Sequence, residues 1–235
     1  MVSAPCFKIE TFGAVDGPSI RLVFFLQGCP LRCLYCHNPE SWKFKKEKLI
    51  SVEEVINLYQ KNKSFYKNGG ITLSGGEPLI HQEFCLELAK QCYLNKISLA
   101  LDTSGVTFNE RFFKKLIKYK PLFLIDIKHI NKNKHQMICG VKEQRELSLI
   151  KFLEKNHLYY WVRQVIIPTL TDNKDDLFLL KKFIKKLKYL KRFELLPYHK
   201  LGVKKYQQLK IKYLLKNIKE PTKSYMSKLI KYFNV

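Results

Sequence analysis

Short β-branched or aromatic runs recur along this chain, each followed by a longer stretch with apolar residues every three or four positions. That alternation limits the chain to the α/β class. The candidate strands are Ile20–Leu26, Ile71–Ser74, Ile97–Asp102, Leu122–Ile127, Tyr160–Ile166 and Phe193–Leu196. Six repeats without a long linker among 235 residues predict a parallel sheet covered by helices, in a single domain spanning residues 1–235. Strands this apolar suit burial on both faces. Periodicity alone leaves open a doubly wound sheet or a partial barrel.

Between the strands, Ser51-Val-Glu-Glu54 has the form of a capping box, followed by Val52, Val55, Ile56 and Tyr59 as an apolar side. Leu180, Phe183, Ile184, Leu187 and Leu190 predict one inner helix face, with Lys181, Lys182, Lys185, Lys186 and Lys188 in solvent. The polar residues are more telling. Cys29 follows the first strand, Gly75-Gly76-Glu77 the second, and Asp102-Thr103 and Asp126-Ile127-Lys128 close the next two. Arg163 lies within the fifth strand, and Tyr198-His199 follow the sixth. Barrel-type α/β enzymes carry their chemistry at that same strand edge.

Charge is the unusual part of the composition. Lys and Arg number 43 against 20 Asp and Glu, a net charge of +23, yet only six of the cations are Arg. Base readout favours Arg forks, whereas Lys supplies diffuse charge. Compositional drift toward Lys accounts for much of this surface, and an acidic protein partner could also use it. No apolar run reaches the roughly 18–20 residues of a membrane span, and Met1 to Ile9 lacks a secretory pattern, so a cytoplasmic protein is expected.

Of seven cysteines, Cys6, Cys85, Cys92 and Cys139 are scattered and suit core positions. Cys29, Cys33 and Cys36 form C-x3-C-x2-C. Three thiolates this close can wrap one metal centre. Structural zinc would need a fourth ligand, and His37, adjacent to Cys36, is poorly placed to serve. A four-iron cluster on three Cys instead leaves one iron open to a small molecule.

This spacing, with Tyr35 before the last Cys, resembles the signature of the radical S-adenosylmethionine (SAM) superfamily, whose fold is usually a partial (βα)6 TIM-like barrel. Val15-Asp16-Gly17-Pro18, Cys33-Leu-Tyr-Cys36-His-Asn38, Ser74-Gly-Gly-Glu77, Asp102-Thr103, Asp126-Ile-Lys128 and Leu195-Leu-Pro-Tyr-His199 extend the resemblance to the family of glycyl-radical activating enzymes, nearest to the activases of pyruvate formate-lyase. It covers residues 11–199; residues 200–235 are expected to form a helical C-terminal tail. The interval from Glu40 to Gly70 has no Cys, unlike the family members with a ferredoxin-like insert.

The resemblance implies that Cys29, Cys33 and Cys36 hold a [4Fe–4S] cluster. It further implies reductive cleavage of SAM to a 5′-deoxyadenosyl radical, which takes hydrogen from a glycine of the target lyase. Tyr35, Cys36, His37, Gly75, Gly76, Glu77, Asp126, Ile127, Lys128, Arg163 and His199 are then expected around SAM. Among them Glu77 suits the SAM ammonium, Lys128 its carboxylate and His199 its ribose. Arg163 faces either SAM or a neighbouring carboxylate. Asp102, Thr103 and Asp126 are candidates for a monovalent cation (K+ or Na+), and Asp16, Gly17 and Pro18 for the partner peptide. Flavodoxin or ferredoxin is the implied electron donor, to a monomer.

Three residues depart from the family pattern: Ser19 where relatives commonly carry Gly, Pro30 after the first Cys, and Ser104 after Asp102-Thr103. Two other functions remain open on sequence. One is a radical SAM enzyme for another glycyl-radical lyase or a small metabolite. The other is a metal-stabilised nucleic-acid-binding module.

Overall fold

Strand formation begins earlier than the apolar runs indicate. In the computed structural model, which describes residues 2–44 and 48–233, β1 (Ser3–Gly13) pairs antiparallel with β2 (Arg21–Leu26). β3 (Leu49–Ser51) pairs antiparallel with the start of β1. Neither β1 nor β3 is legible as an apolar run. β1 carries Pro5, Lys8 and Glu10, and its register shifts between Cys6 and Lys8 and again between Glu10 and Gly13. Such bulges break the alternation that identifies a strand.

The remaining expected strands form, with shifted ends: the third begins at Leu99 instead of Ile97, and the sixth already at Leu190 instead of Phe193. They are β4 (Gly70–Gly75), β5 (Leu99–Thr103), β6 (Leu122–Asp126), β7 (Tyr160–Ile166) and β8 (Leu190–Pro197). Eight strands follow the order β3-β1-β2-β4-β5-β6-β7-β8 in an open sheet. Pairing is parallel for β2 with β4, β4 with β5, and β7 with β8. The helices are α1 (Val52–Lys61), α2 (Gln82–Leu94), α3 (Glu110–Leu116), α4 (Lys132–Cys139), α5 (Arg145–Lys155), α6 (Lys174–Ile184), α7 (Val203–Gln208) and α8 (Lys223–Phe233). The class is α/β, as the alternation predicts. Among the described residues no helix is long and apolar enough to cross a membrane.

The described residues fall into two compact units, one within 2–30 and 41–124 and the other within 31–40 and 125–233. In the first, Leu22, Phe24, Leu26, Ile71 and Leu73 of β2 and β4 are fully buried with Phe84, Leu88 and Phe113 of the helices. Each such side chain contributes about 1.5–3 kcal/mol by leaving water. Cys85 and Cys92 are buried on α2 as expected, and burial pushes the Cys92 thiol up to about 12. The capping box at Ser51 is complete: Ser51 N donates to Glu54 Oε2 at 2.7 Å, and Glu54 N to Ser51 Oγ at 3.2 Å.

In the second unit Ile150, Leu153, Val162, Ile166, Leu180 and Ile184 form the core. The inner face predicted through Leu190 is shorter than its periodicity suggests. α6 ends at Ile184, Leu187 lies beyond it, and Leu190 opens β8. The expected tail contains α7 and α8, separated by a non-helical stretch over 209–222; Asn234 and Val235 lie outside the described residues.

Candidate active site

In the first unit, β2 delivers Cys29 through a turn at Gly28, whose φ of 97° suits a residue without a side chain. β4 ends on Gly75, φ 115°, and the chain folds back so that Gly76 N donates to Leu26 O and Glu77 N to Gly28 O, each at 2.8 Å. A Cβ on Gly76 would stand 2.1 Å from Gly28 O and 3.3 Å from Cys29 Cβ. Only glycine lets these two turns touch, and Gly76 is thereby set beside Cys29.

Glu77 is 1% exposed. Its Oε1 accepts from Leu79 N at 3.2 Å and Thr103 Oγ1 at 2.7 Å. Its Oε2 accepts from Ser104 N at 2.9 Å and Ser104 Oγ at 2.5 Å. These four donors fill the roughly four lone-pair sites of a carboxylate. Burial raises the Glu77 carboxyl above the ordinary range, and the hydroxyl and amide donors oppose that rise. Asp102 Oδ2 accepts from Ser74 Oγ at 3.0 Å. Glu77 therefore braces the turn after β4 against the turn after β5. Ser104, which sequence reasoning noticed only as a departure, supplies half of the brace.

The Asp16-Gly17-Pro18 loop stands at the other ends of the strands. Thr72 Oγ1 donates to Asp16 O at 2.7 Å, and Arg21, wholly buried, donates to Pro18 O at 3.3 Å and Ile71 O at 2.7 Å. The loop thus rests where β2 and β4 begin, whereas Cys29 and Gly76 lie where they end. Six residues of β2 separate the two edges, roughly 20 Å at 3.3 Å per residue. Gly17 has φ 126° and Ser19 φ 59°. Ser19 thus holds a left-handed backbone of the kind glycine adopts most readily.

In the second unit, Asp126 closes β6 with Ile127 and Lys128 following, and Ile127 N donates to Arg163 O at 2.9 Å. Asp126 Oδ1 accepts from Arg163 Nε at 2.8 Å, and Oδ2 from Lys128 Nζ at 2.9 Å. Of the two alternatives for Arg163, the structure selects the neighbouring carboxylate. Burial alone would raise the Asp126 carboxyl, but the charges of Arg163 and Lys128 outweigh it and hold the group at about 2. Lys128 would be lowered by burial, yet the Asp126 charge raises it well above an ordinary lysine. Two cations on one carboxylate leave the cluster net positive, and one ion pair leaves the Lys128 ammonium further donor capacity. Lys128 Nζ also lies 5.7 Å over the buried Tyr35 ring.

The rest of the cysteine motif is fastened to the same unit. Arg32 N and Leu34 N each donate at 2.9 Å to carbonyls at the end of α4, those of Cys139 and Ile138. Cys36 N donates to Cys33 O at 3.1 Å. His37 and His199 stack with centroids 3.9 Å apart, and His37 Nε2–H donates to His199 O at 3.1 Å. Burial, followed by the charges of His199 and Lys205, keeps His37 below the usual histidine range. His199 Nδ1 is buried and has no hydrogen-bond partner among the described residues. An orphaned ring nitrogen of this kind suits a ligand hydroxyl.

Among the described residues no cysteine is in a disulfide, and no three His, Cys, Asp or Glu side chains form a preassembled ion site. Cys29 and Cys33 are buried and Cys36 half-buried. Three soft sulfur donors in this spacing fit an iron–sulfur centre.

Residues 23–180 match the profile of the Radical SAM superfamily. The chain is 37% identical over 242 residues to a pyruvate formate-lyase-activating enzyme of Staphylococcus epidermidis, covering all of this chain and 96% of the relative. It is 38% identical over 234 residues to the enzyme of that name from Clostridium pasteurianum, covering 99% and 98%. Among solved structures it resembles Streptococcus suis SuiB bound to precursor peptide SuiA. The TM-score is 0.68 at 18% identity, over 95% of this chain and 46% of that one. At that identity the likeness speaks for the fold alone, the partial TIM-like barrel of the superfamily.

Proposed function

This chain belongs to the radical SAM superfamily and, within it, to the pyruvate formate-lyase-activating enzymes, and from that premise we propose that it installs the glycyl radical of pyruvate formate-lyase. The observation that carries this is its likeness, end to end, to two relatives of that name. Cys29, Cys33 and Cys36 would hold the [4Fe–4S] cluster through their thiolates. Bound cluster and SAM supply one-electron cleavage of a sulfonium and a carbon radical able to take hydrogen from glycine.

The chain's own residues bind, orient and exclude water. Gly75 and Gly76 present bare backbone to the amino-acid end of SAM. Glu77, its acceptors filled, keeps that turn in place instead of meeting the ammonium itself. Lys128 meets the SAM carboxylate, while Asp126 and Arg163 orient it. His199 Nδ1 meets a ribose hydroxyl, and Tyr35, His37 and Ile127 line the adenosine. Asp102 and Thr103 suit a monovalent cation better than Asp126, which two cations already flank. Asp16, Gly17 and Pro18, at the opposite strand ends, would meet the partner chain as it approaches. We read the chain as one domain, a cytoplasmic monomer, receiving electrons from an acidic flavodoxin or ferredoxin on its Lys-rich surface.

The test uses protein reconstituted anaerobically with iron and sulfide, reduced, and assayed for 5′-deoxyadenosine with and without a peptide copied from the lyase's glycine loop. Product that rises with the peptide is expected, and Cys33→Ala abolishes it. Product indifferent to the peptide would move the substrate elsewhere. No product from an intact cluster would overturn the chemistry.

A further inference from the structure

Residues 199–206 follow β8 and run into α7; apart from His199 they lie beyond the part of the chain to which the sequence resemblance gives a role. Their contacts converge on one segment, residues 36–40. His199 stacks on His37 and accepts its Nε2–H. Gly202 lies so close to the Cys36–His37 peptide that a Cβ there would meet His37 Cα at 3.1 Å and Cys36 O at 3.3 Å. Lys205 Nζ donates to Asn38 Oδ1 at 2.9 Å and pairs with Glu40 Oε1 at 2.5 Å. Tyr206, on the next position of α7, is buried and anchors that helix in the core. Three features of one short segment, at His199, Gly202 and Lys205, thus close on the end of the cysteine motif and the residues that follow it.

We propose that residues 199–206 form a clasp on the cysteine motif, in which Lys205 is the positioning residue that pins Asn38 and Glu40 and so fixes Cys36 as a cluster ligand. This rests on the reading of Cys29, Cys33 and Cys36 as cluster ligands. The physical reason is leverage. Cys36 is the last ligand of the motif and its least buried, so contacts made just beyond it limit how far its thiolate can shift. An ammonium that bonds the Asn38 amide and pairs with the Glu40 carboxylate of the same turn holds both its position and its orientation. The contact at Gly202 presses the peptide from the other direction, and its backbone at φ −76° is ordinary, so its small size, not its flexibility, is what the contact uses.

The experiment follows cluster loss from the anaerobically reconstituted full-length protein to an iron chelator, by visible absorbance. It is joined by the electron paramagnetic resonance spectrum of the reduced cluster and the melting temperature of the apoprotein. Lys205→Met is expected to release the cluster about tenfold faster, the scale of loss when an outer partner of a metal ligand is removed. Its apoprotein melting temperature should stay near wild type, and Lys205→Arg should restore retention. Gly202→Ala, which adds a Cβ without backbone strain, should alter the spectrum. Loss rates within twofold of wild type in both variants would overturn the clasp, as would a loss that tracks melting temperature and is not rescued by Arg. A wild-type protein that takes up no cluster would overturn the ligand reading and the clasp with it. A wild type that loads normally beside unaffected variants overturns the clasp alone.

Discussion

Two carboxylates, Glu77 buried in one unit and Asp126 half-buried in the other, sit at strand ends and are treated in opposite ways. Glu77, after β4, is met only by amide and hydroxyl donors, and burial raises it. Asp126, at the end of β6, is met by Arg163 and Lys128, whose charges hold it at about 2. Loss of water pushes both carboxyls up; the partners decide the sign. A carboxylate ringed by neutral donors works as a mechanical brace. One flanked by two cations works as a counter-ion, leaving positive charge to offer a ligand.

The sharpest way to break this contrast is to neutralise each carboxylate. Asp126→Asn removes the carboxylate charge shared by two buried cations, Arg163 and Lys128, and is expected to cost about 3–5 kcal/mol in urea unfolding. A cost under 1 kcal/mol would mean that the cluster is not an ion network. Lys128→Met tests what the surplus charge is for. It should raise KM for SAM by about 10–100-fold, the scale of one hydrogen bond to a charged group, with a smaller change in kcat. An unchanged KM would remove Lys128 from the ligand.

Glu77→Gln keeps the shape, mismatches two donors and should cost about 1–2 kcal/mol. Its pH dependence runs opposite to that of Asp126. The folded pKa of Asp126 is depressed, so its contribution is whole above the unfolded aspartate value and lost as pH falls toward 2. That of Glu77 is raised, so its contribution is present below the unfolded glutamate value and lost as pH rises through the folded one. Urea midpoints measured across pH should show the Asp126→Asn deficit shrinking in acid and the Glu77→Gln deficit shrinking toward neutrality. Deficits that change together would contradict the assignment. The smallest effect is that of Ser104→Ala, which removes one of the four donors to Glu77 and should cost about 1 kcal/mol in the same assay.

The positions of these groups are legible in the sequence, because each closes or follows an apolar run and strand ends are set by local pattern. Their partners are not. Thr103 and Glu77 lie 26 residues apart, Arg163 and Asp126 37 apart, and only the folded sheet brings them into hydrogen-bond range. β1 and β3 escape notice for a related reason. A bulged strand with charged residues and a three-residue strand carry no period, and exist because β2 and β1 offer them an edge.

By itself the sequence determined the alternation of strands and helices, the three-cysteine spacing and the order of polar residues along one strand edge, since these depend on neighbours within a few residues. The tertiary structure alone decided that Glu77 is occupied by Ser104 and Thr103, that Arg163 turns to Asp126, that Ser19 must adopt φ 59°, and that Lys205, one lysine among many, reaches Asn38 and Glu40. Those contacts join residues up to 167 positions apart. No local period records such a meeting, and it becomes favourable only when burial has already brought the elements together.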